Sequence, residues 1–146
     1  MHLLLNLLFV TSGGLGNLRG HDAMCNISEE KRRYIEYLLG KELDELYVLV
    51  AQSEPAFSDR MFSPEEARTK GEAHVNSLLD PLRRKICKEW NYCNRRHDPN
   101  LADTVTLVAT VSDLILSVVG GIPATMIAVV MAKKGLNTFC ECDSNE

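Results

Sequence analysis

Aromatic side chains are scarce in this 146-residue chain, at 6%, so any core it builds is aliphatic. It contains no nucleophile elbow, no phosphate-binding glycine loop and no HExxH pair. Those absences argue against the common catalytic and nucleotide-binding classes, and the expectation is a protein that is not an enzyme. Basic charge is not in excess: 16 Lys and Arg stand against 20 Asp and Glu, a net −4. That balance disfavours a dedicated nucleic-acid binder. No internal repeat is visible, and the length suits one domain better than two. The five cysteines have no regular spacing, and an odd count is a poor disulfide framework. They read as thiols of a reducing compartment, free or bound to metal.

What the chain does have is 45% apolar and 25% charged residues, a balance that excludes a disordered polymer. The charge is unevenly placed. Acids gather in 28–72, and 83–97 is strongly basic. At the start, the apolar run 3–10 precedes a glycine-rich piece at 12–16. A signal peptide wants a basic start and a small-residue cleavage site; here only His2 precedes the run and no such site follows. Residues 1–23 therefore read as a poorly structured or misassigned extension, and in the second case Met24 is the start. Asn26-Ile27-Ser28 matches a glycosylation sequon, which has meaning only in a secreted chain.

From Ser28 the pattern is helical. Ser28 suits an N-cap, Glu29 and Glu30 suit the first turn, and Ile35, Leu39, Leu43, Leu46 and Val50 recur at spacings of three and four. Tyr34, Leu38 and Tyr47 widen that stripe. The spacing predicts one helix over 29–52 with Gly40 inside it. After a loop containing Pro55, Ser63-Pro64-Glu65-Glu66 opens a second helix to Leu79, with Ala67, Val75, Leu78 and Leu79 inward. Asp80-Pro81 predicts a kink or a new start capped by Asp80. Asp98-Pro99-Asn100 is a further break. A helix over 101–119 follows, then Gly120-Gly121, then a helix that begins near Pro123 and ends at Gly135. The β-branched stretch 104–111 is the only strand candidate, and its surroundings favour helix. The expectation is an all-α fold of four to five helices: an amphipathic helical region over 24–100, an apolar helical hairpin over 101–139 and a Cys-containing tail over 140–146.

The segment 114–132 carries no charge and is long enough for a membrane-spanning helix. It fits either one kinked span or two short arms of a hairpin. Asp113 is the polar residue at issue. In lipid it needs a partner or a water-filled cavity, whereas in a water-borne bundle it sits at the solvent edge. Basic residues flank the region on both sides, with Lys133 and Lys134 closing it, as suits a hairpin with both ends cytoplasmic.

Two side-chain groupings carry chemistry. If the hairpin folds back, Cys140 and Cys142 return beside Cys93 and His97, and two pairs of soft ligands make a tetrahedral zinc site. Cys87 is a reserve ligand. The other readings are unligated thiols and a disulfide between the two clusters. The second grouping is cationic and aromatic: Arg83, Arg84, Lys85, Lys88, Trp90, Tyr92, Arg95 and Arg96. It suits anionic headgroups, a polyanion or simply a solvated helix face. The leading expectation is a small noncatalytic membrane-associated interaction protein on the cytoplasmic side. Its hairpin would anchor or assemble a complex, with a protein partner or a homo-oligomer, or perturb the bilayer. The alternatives are a cytoplasmic helical subunit of a larger assembly with its hairpin buried by a partner, and a nucleic-acid adaptor using 83–96.

Overall fold

Serine caps mark two of the helix starts. In the computed structural model, which describes residues 27–54, 61–119 and 123–143, helix α1 (Glu29–Leu39) begins where Ser28 Oγ accepts the Lys31 N–H at 3.1 Å. Glu29 and Glu30 occupy the positive end of its dipole. The readings placed on 1–23, Cys25, the sequon at Asn26, Pro55 and Gly120-Gly121 fall outside the described residues.

The single helix expected over 29–52 is instead two. Gly40 closes α1, and Glu42 opens α2 (Leu43–Ser53) with a capping box in which the Glu42 N–H donates to Glu45 Oε1 at 3.0 Å. Packing explains the break. A straight helix would carry Val50 roughly 22 Å along its axis from Ile35, yet Ile35, Leu38, Leu46 and Val50 have no exposed surface. Turning the chain at Gly40 brings both short helices onto one core.

Helix α3 (Pro64–Ser77) begins with a second capping box, built from Ser63 and Glu66, and with Pro64 in its first turn. Its Ala67, Gly71 and Val75 form a narrow buried stripe against α2. The approach is close: a Cβ on Gly71 would lie 1.8 Å from the Tyr47 carbonyl oxygen.

Beyond Ser77 the chain is irregular. α4 (Leu79–Leu82) is one turn, with Leu78 rather than Asp80 before it. A π-helical stretch (Arg83–Glu89) follows, ending where the Trp90 N–H donates to the Lys85 carbonyl five residues back. Asn91 then takes the left-handed region, φ 61°, and α5 (Tyr92–Arg95) is again one turn. A 3-10 turn (Pro99–Leu101) begins with the Asp98 carboxylate accepting the Asn100 N–H.

The uncharged segment 114–132 is shared between α6 (Thr104–Val119) and α7 (Ala124–Lys134), so it is not one continuous span. At 1.5 Å per residue these helices are about 24 and 17 Å long, against a hydrocarbon core of about 30 Å. Among the described residues no helix is long and apolar enough to cross a membrane. The two pack on each other, and Ser112 and Thr125 hydroxyls share a hydrogen bond of 2.9 Å. α8 (Leu136–Phe139) is the last of the described helices. Helix α7 is the centre of the fold: it touches α1, α2, α6 and α8, and Ile127, Ala128, Val129 and Val130 are entirely buried.

The fold is all-helical, as composition and periodicity predict. Its eight α-helices among the described residues exceed the four or five expected. The excess comes from the break at Gly40 and from the single turns α4, α5 and α8, which are too short to leave a periodic pattern.

Candidate functional site

The chain's chemistry converges at the end of the fold where α8 and the tail meet the segment 83–97. Cys87 projects from the π-helical stretch and Cys93 from α5; Cys140 and Cys142 follow α8. The Cys140 N–H donates to the Leu136 carbonyl and the Cys142 N–H to the Asn137 carbonyl, which tethers the tail to α8. Between them Glu141 adopts φ 54°, a turn that sends the two cysteines to different partners. Cys87 is bonded to Cys140 and Cys93 to Cys142.

Of the three readings of these clusters, the structure therefore shows the bridged one. Neither free thiols nor zinc held by Cys93, His97, Cys140 and Cys142 is the observed state. The reason is chemical: metals bind the thiolate, and a disulfide sulfur carries no such charge. Among the described residues no group of three or more His, Cys, Asp or Glu is placed to hold a metal ion. Cys87, a reserve ligand on helical spacing, is a full member of the cluster because the π-helical stretch and the left-handed Asn91 alter the register between it and Cys93.

An open cleft of about 770 Å³ lies beside the bridges, lined by Tyr92, Arg96, His97, Asn137, Thr138 and Glu141. Arg96 donates from Nη2 to the Asp143 carbonyl at 2.7 Å, while its buried Nε has no hydrogen-bond partner among the described residues. Burial raises the Tyr92 phenol above its ordinary range, and the nearby Arg96 charge offsets part of that rise. A smaller, more enclosed cavity of about 260 Å³ lies between α3 and α8, lined by Val75, Leu79, Met131 and Phe139 with Arg83 and Lys134 at its edge.

The cationic segment is largely occupied with its own fold. The Arg83 guanidinium lies 4.6 Å from the Phe139 ring centroid, and its Nε donates to the Phe139 carbonyl at 3.5 Å. Arg95 Nε donates to the Trp90 carbonyl at 2.6 Å, and Lys85 pairs with Glu89 at 3.2 Å. Arg84 and Lys88 are exposed. Tyr92 is buried and Trp90 is partly buried against the core, so these aromatics do not present the open faces that base stacking uses. Lys133 and Lys134 are exposed in the last turn of α7, where positive charge complements the dipole.

Asp113 is exposed on α6, and Lys31 of α1 stands 3.7 Å from it. The two helices meet again where Arg32 donates to Asp103 Oδ2 at 3.2 Å. Asp103 also accepts from the Thr106 hydroxyl at 2.8 Å. The Thr106 bond first, and the Arg32 contact after it, hold the Asp103 carboxyl below its usual range.

Two features escaped the sequence reading. Tyr34, expected to widen the inward stripe, is 39% exposed, and its neighbour one turn on, Tyr37, is 56% exposed. Leu116 and Val118 are exposed on α6. The available signal was the position of Tyr34 and Tyr37 off the line joining Ile35 and Leu38. The second is the contact between His74 Nε2 and Glu54 Oε2 at 2.9 Å, which ties α3 to the end of α2 and bridges too long a stretch of chain to be read locally. No known family model matches the chain, and no curated protein or solved structure is similar to it.

Proposed function

We propose that this chain is a noncatalytic helical interaction module, a subunit of a larger assembly, whose apolar C-terminal helices form its own core. The observation that carries the reading is the complete burial of Ile127 through Val130 on α7. We read α6 and α7 as the arms of the expected hairpin, covered by α1 and α2 of the same chain. Anchoring in lipid would ask these side chains to leave that core, and each Val or Ile so removed forfeits about 1.5–3 kcal/mol of burial unless lipid replaces it. The surface left for a partner is exposed apolar ground on α1 and α6: Tyr34 and Tyr37 on one helix, Leu116 and Val118 on the other. Aromatic residues exposed in this way are the usual anchors of protein interfaces.

Two experiments test this. Purified full-length chain is mixed with vesicles of neutral and anionic phospholipid and floated on a density gradient. It is expected to stay with the aqueous fraction, and entry into the vesicles that resists alkaline carbonate would overturn the reading. Tagged chain in extracts of its own cells is expected to run as an assembly well above 16.3 kDa. The pair Tyr37→Arg and Leu116→Arg is expected to return it to monomer size with its helical circular dichroism intact. A monomer in the unsubstituted extract would end the proposal.

A further inference from the structure

Four sulfurs meet at one place in this fold. The bridged pairs have Cα separations of 5.3 and 5.4 Å. The pairs are also adjacent to each other: Cys93 Sγ lies 3.8 Å from the Cys140 carbonyl oxygen, and only Glu141 separates Cys140 from Cys142. One wall of the cluster is helical, from the π-helical stretch and α5; the other is the tail tethered to α8.

We propose that this cluster is a redox-exchangeable zinc site, in which Cys87, Cys93, Cys140 and Cys142, once reduced, hold one Zn²⁺ as a four-thiolate centre. The reductant is a thiol or dithiol. Each protein disulfide takes two electrons and two protons from two reductant thiols, which become a disulfide, and two protein thiols result. Zinc then binds all four sulfurs as thiolates, and four protons pass to solvent. Zn–S bonds of about 2.3 Å in a tetrahedron place neighbouring sulfurs roughly 3.8 Å apart. The backbone already brings the two pairs to one end of the fold, and reduction frees their side chains to open to that spacing. A disulfide oxidant runs the exchange backwards and releases the metal.

The surroundings suit such a centre. A four-thiolate zinc carries two net negative charges. Arg83 sits on Phe139, next to Cys140 in the chain; Arg96 holds the Asp143 carbonyl; His97 lines the cleft that Cys142 also lines; and Lys88 adjoins Cys87. Glu89, Glu141 and Asp143 are the acids nearest along the chain, against the six Lys and Arg of 83–96. The remaining excess of basic side chains offsets the charge of the filled site. His97, favoured as a ligand on sequence spacing, is exposed and belongs to no bridge, whereas Cys87 is bonded into the cluster. Four cysteines, rather than three and a histidine, are therefore the ligand set.

The test uses the full chain, reduced under nitrogen with a phosphine, freed of reductant and titrated with Co²⁺ and then Zn²⁺. The expected result is one cobalt per chain with the intense thiolate absorption of a tetrahedral site, displaced by one zinc. His97→Ala is expected to leave the spectrum unchanged, while Cys87→Ser weakens zinc binding by more than about 100-fold, beyond what outer-shell changes typically cost. Circular dichroism followed in parallel separates folding from binding. If the reduced chain is folded and gives no thiolate absorption, the proposal is wrong. It is equally wrong if the reduced chain unfolds and neither metal refolds it, if both disulfides resist the phosphine, or if His97→Ala abolishes the signal and Cys87→Ser does not.

Discussion

At Gly71 two opposing effects act on the same substitution. Alanine in place of glycine in a helix interior ordinarily gains about 1 kcal/mol. Here the new methyl would overlap the Tyr47 carbonyl oxygen at 1.8 Å, and backbone cannot rotate out of the way as a side chain does. Overpacking costs about 1–3 kcal/mol where side chains adjust, so at this position the clash outweighs the propensity. Gly71→Ala is expected to lower stability in urea titrations by at least that much; a variant as stable as the parent would mean that α2 and α3 are less closely packed than described. Asp103 shows the same competition in electrostatic form. Its bonds to Thr106 and Arg32 lower its pKa on folding, so its contribution is present above the unfolded value near 3.9 and is lost as the pH falls through the lower folded value. Asp103→Asn is expected to flatten the acid limb of the stability curve below about pH 4. The effect is modest, because the side chain is 48% exposed and solvent screens it. An unchanged acid limb would remove this carboxylate from the account. Neither effect was legible in the sequence, since Tyr47 and Arg32 reach these residues only through the tertiary fold.

Legibility improves at the scale of the element wherever the signal is local. Ser28, Ser63 and Asp98 announce their turns because a cap acts within three residues; Ser63→Ala is accordingly expected to cost about 1 kcal/mol in thermal melts. The break at Gly40 was not legible, because its apolar stripe continues across it at helical spacing and only the packing of Leu46 against the same core as Leu38 requires the turn. The apolar segment 114–132 was readable as something kept from water, but not as what covers it: hydrophobicity alone does not distinguish lipid from a neighbouring helix. Substitution does. Ile127, on the central helix, has no exposed surface, whereas Leu116, in the same uncharged run but on α6, is 48% exposed. Ile127→Ala is expected to cost about 2–5 kcal/mol in aqueous urea titrations and Leu116→Ala less than about 0.5 kcal/mol. Equal costs would mean that the two helices share a different environment from the one described.

At the scale of the whole molecule, the bridges decide how the C-terminal end is held. The Cys87–Cys140 and Cys93–Cys142 bonds span 53 and 49 residues of chain, and closing a loop of that size in the unfolded chain is worth about 4 kcal/mol in the chain-entropy description. The second bridge adds less, because the first already brings its two ends within a few residues of each other. The odd cysteine count left bridging between the two clusters as only one of three readings of the sequence, since which cysteines meet depends on α6 and α7 returning the tail to α5. Reduction in the presence of a chelator, which keeps metal away from the freed thiols, therefore removes somewhat more than 4 kcal/mol. At about 2–4 °C per kcal/mol for a chain of this size, the expected fall in Tm is about 10–20 °C. The loss is also expected to be uneven. The core around α7 keeps its burial without the bridges, whereas 136–143 reaches that core only through Leu136 and Phe139 and is otherwise held by the bridges and by a few bonds such as Arg96 to Asp143 and Arg83 to Phe139. Hydrogen exchange on the reduced chain is thus expected to lose protection first in α8 and α5, with Ile127 through Val130 protected to the global limit. A Tm that does not move on complete reduction, or protection lost from α7 together with the tail, would show that the bridges do not act as a local staple on an independently stable core.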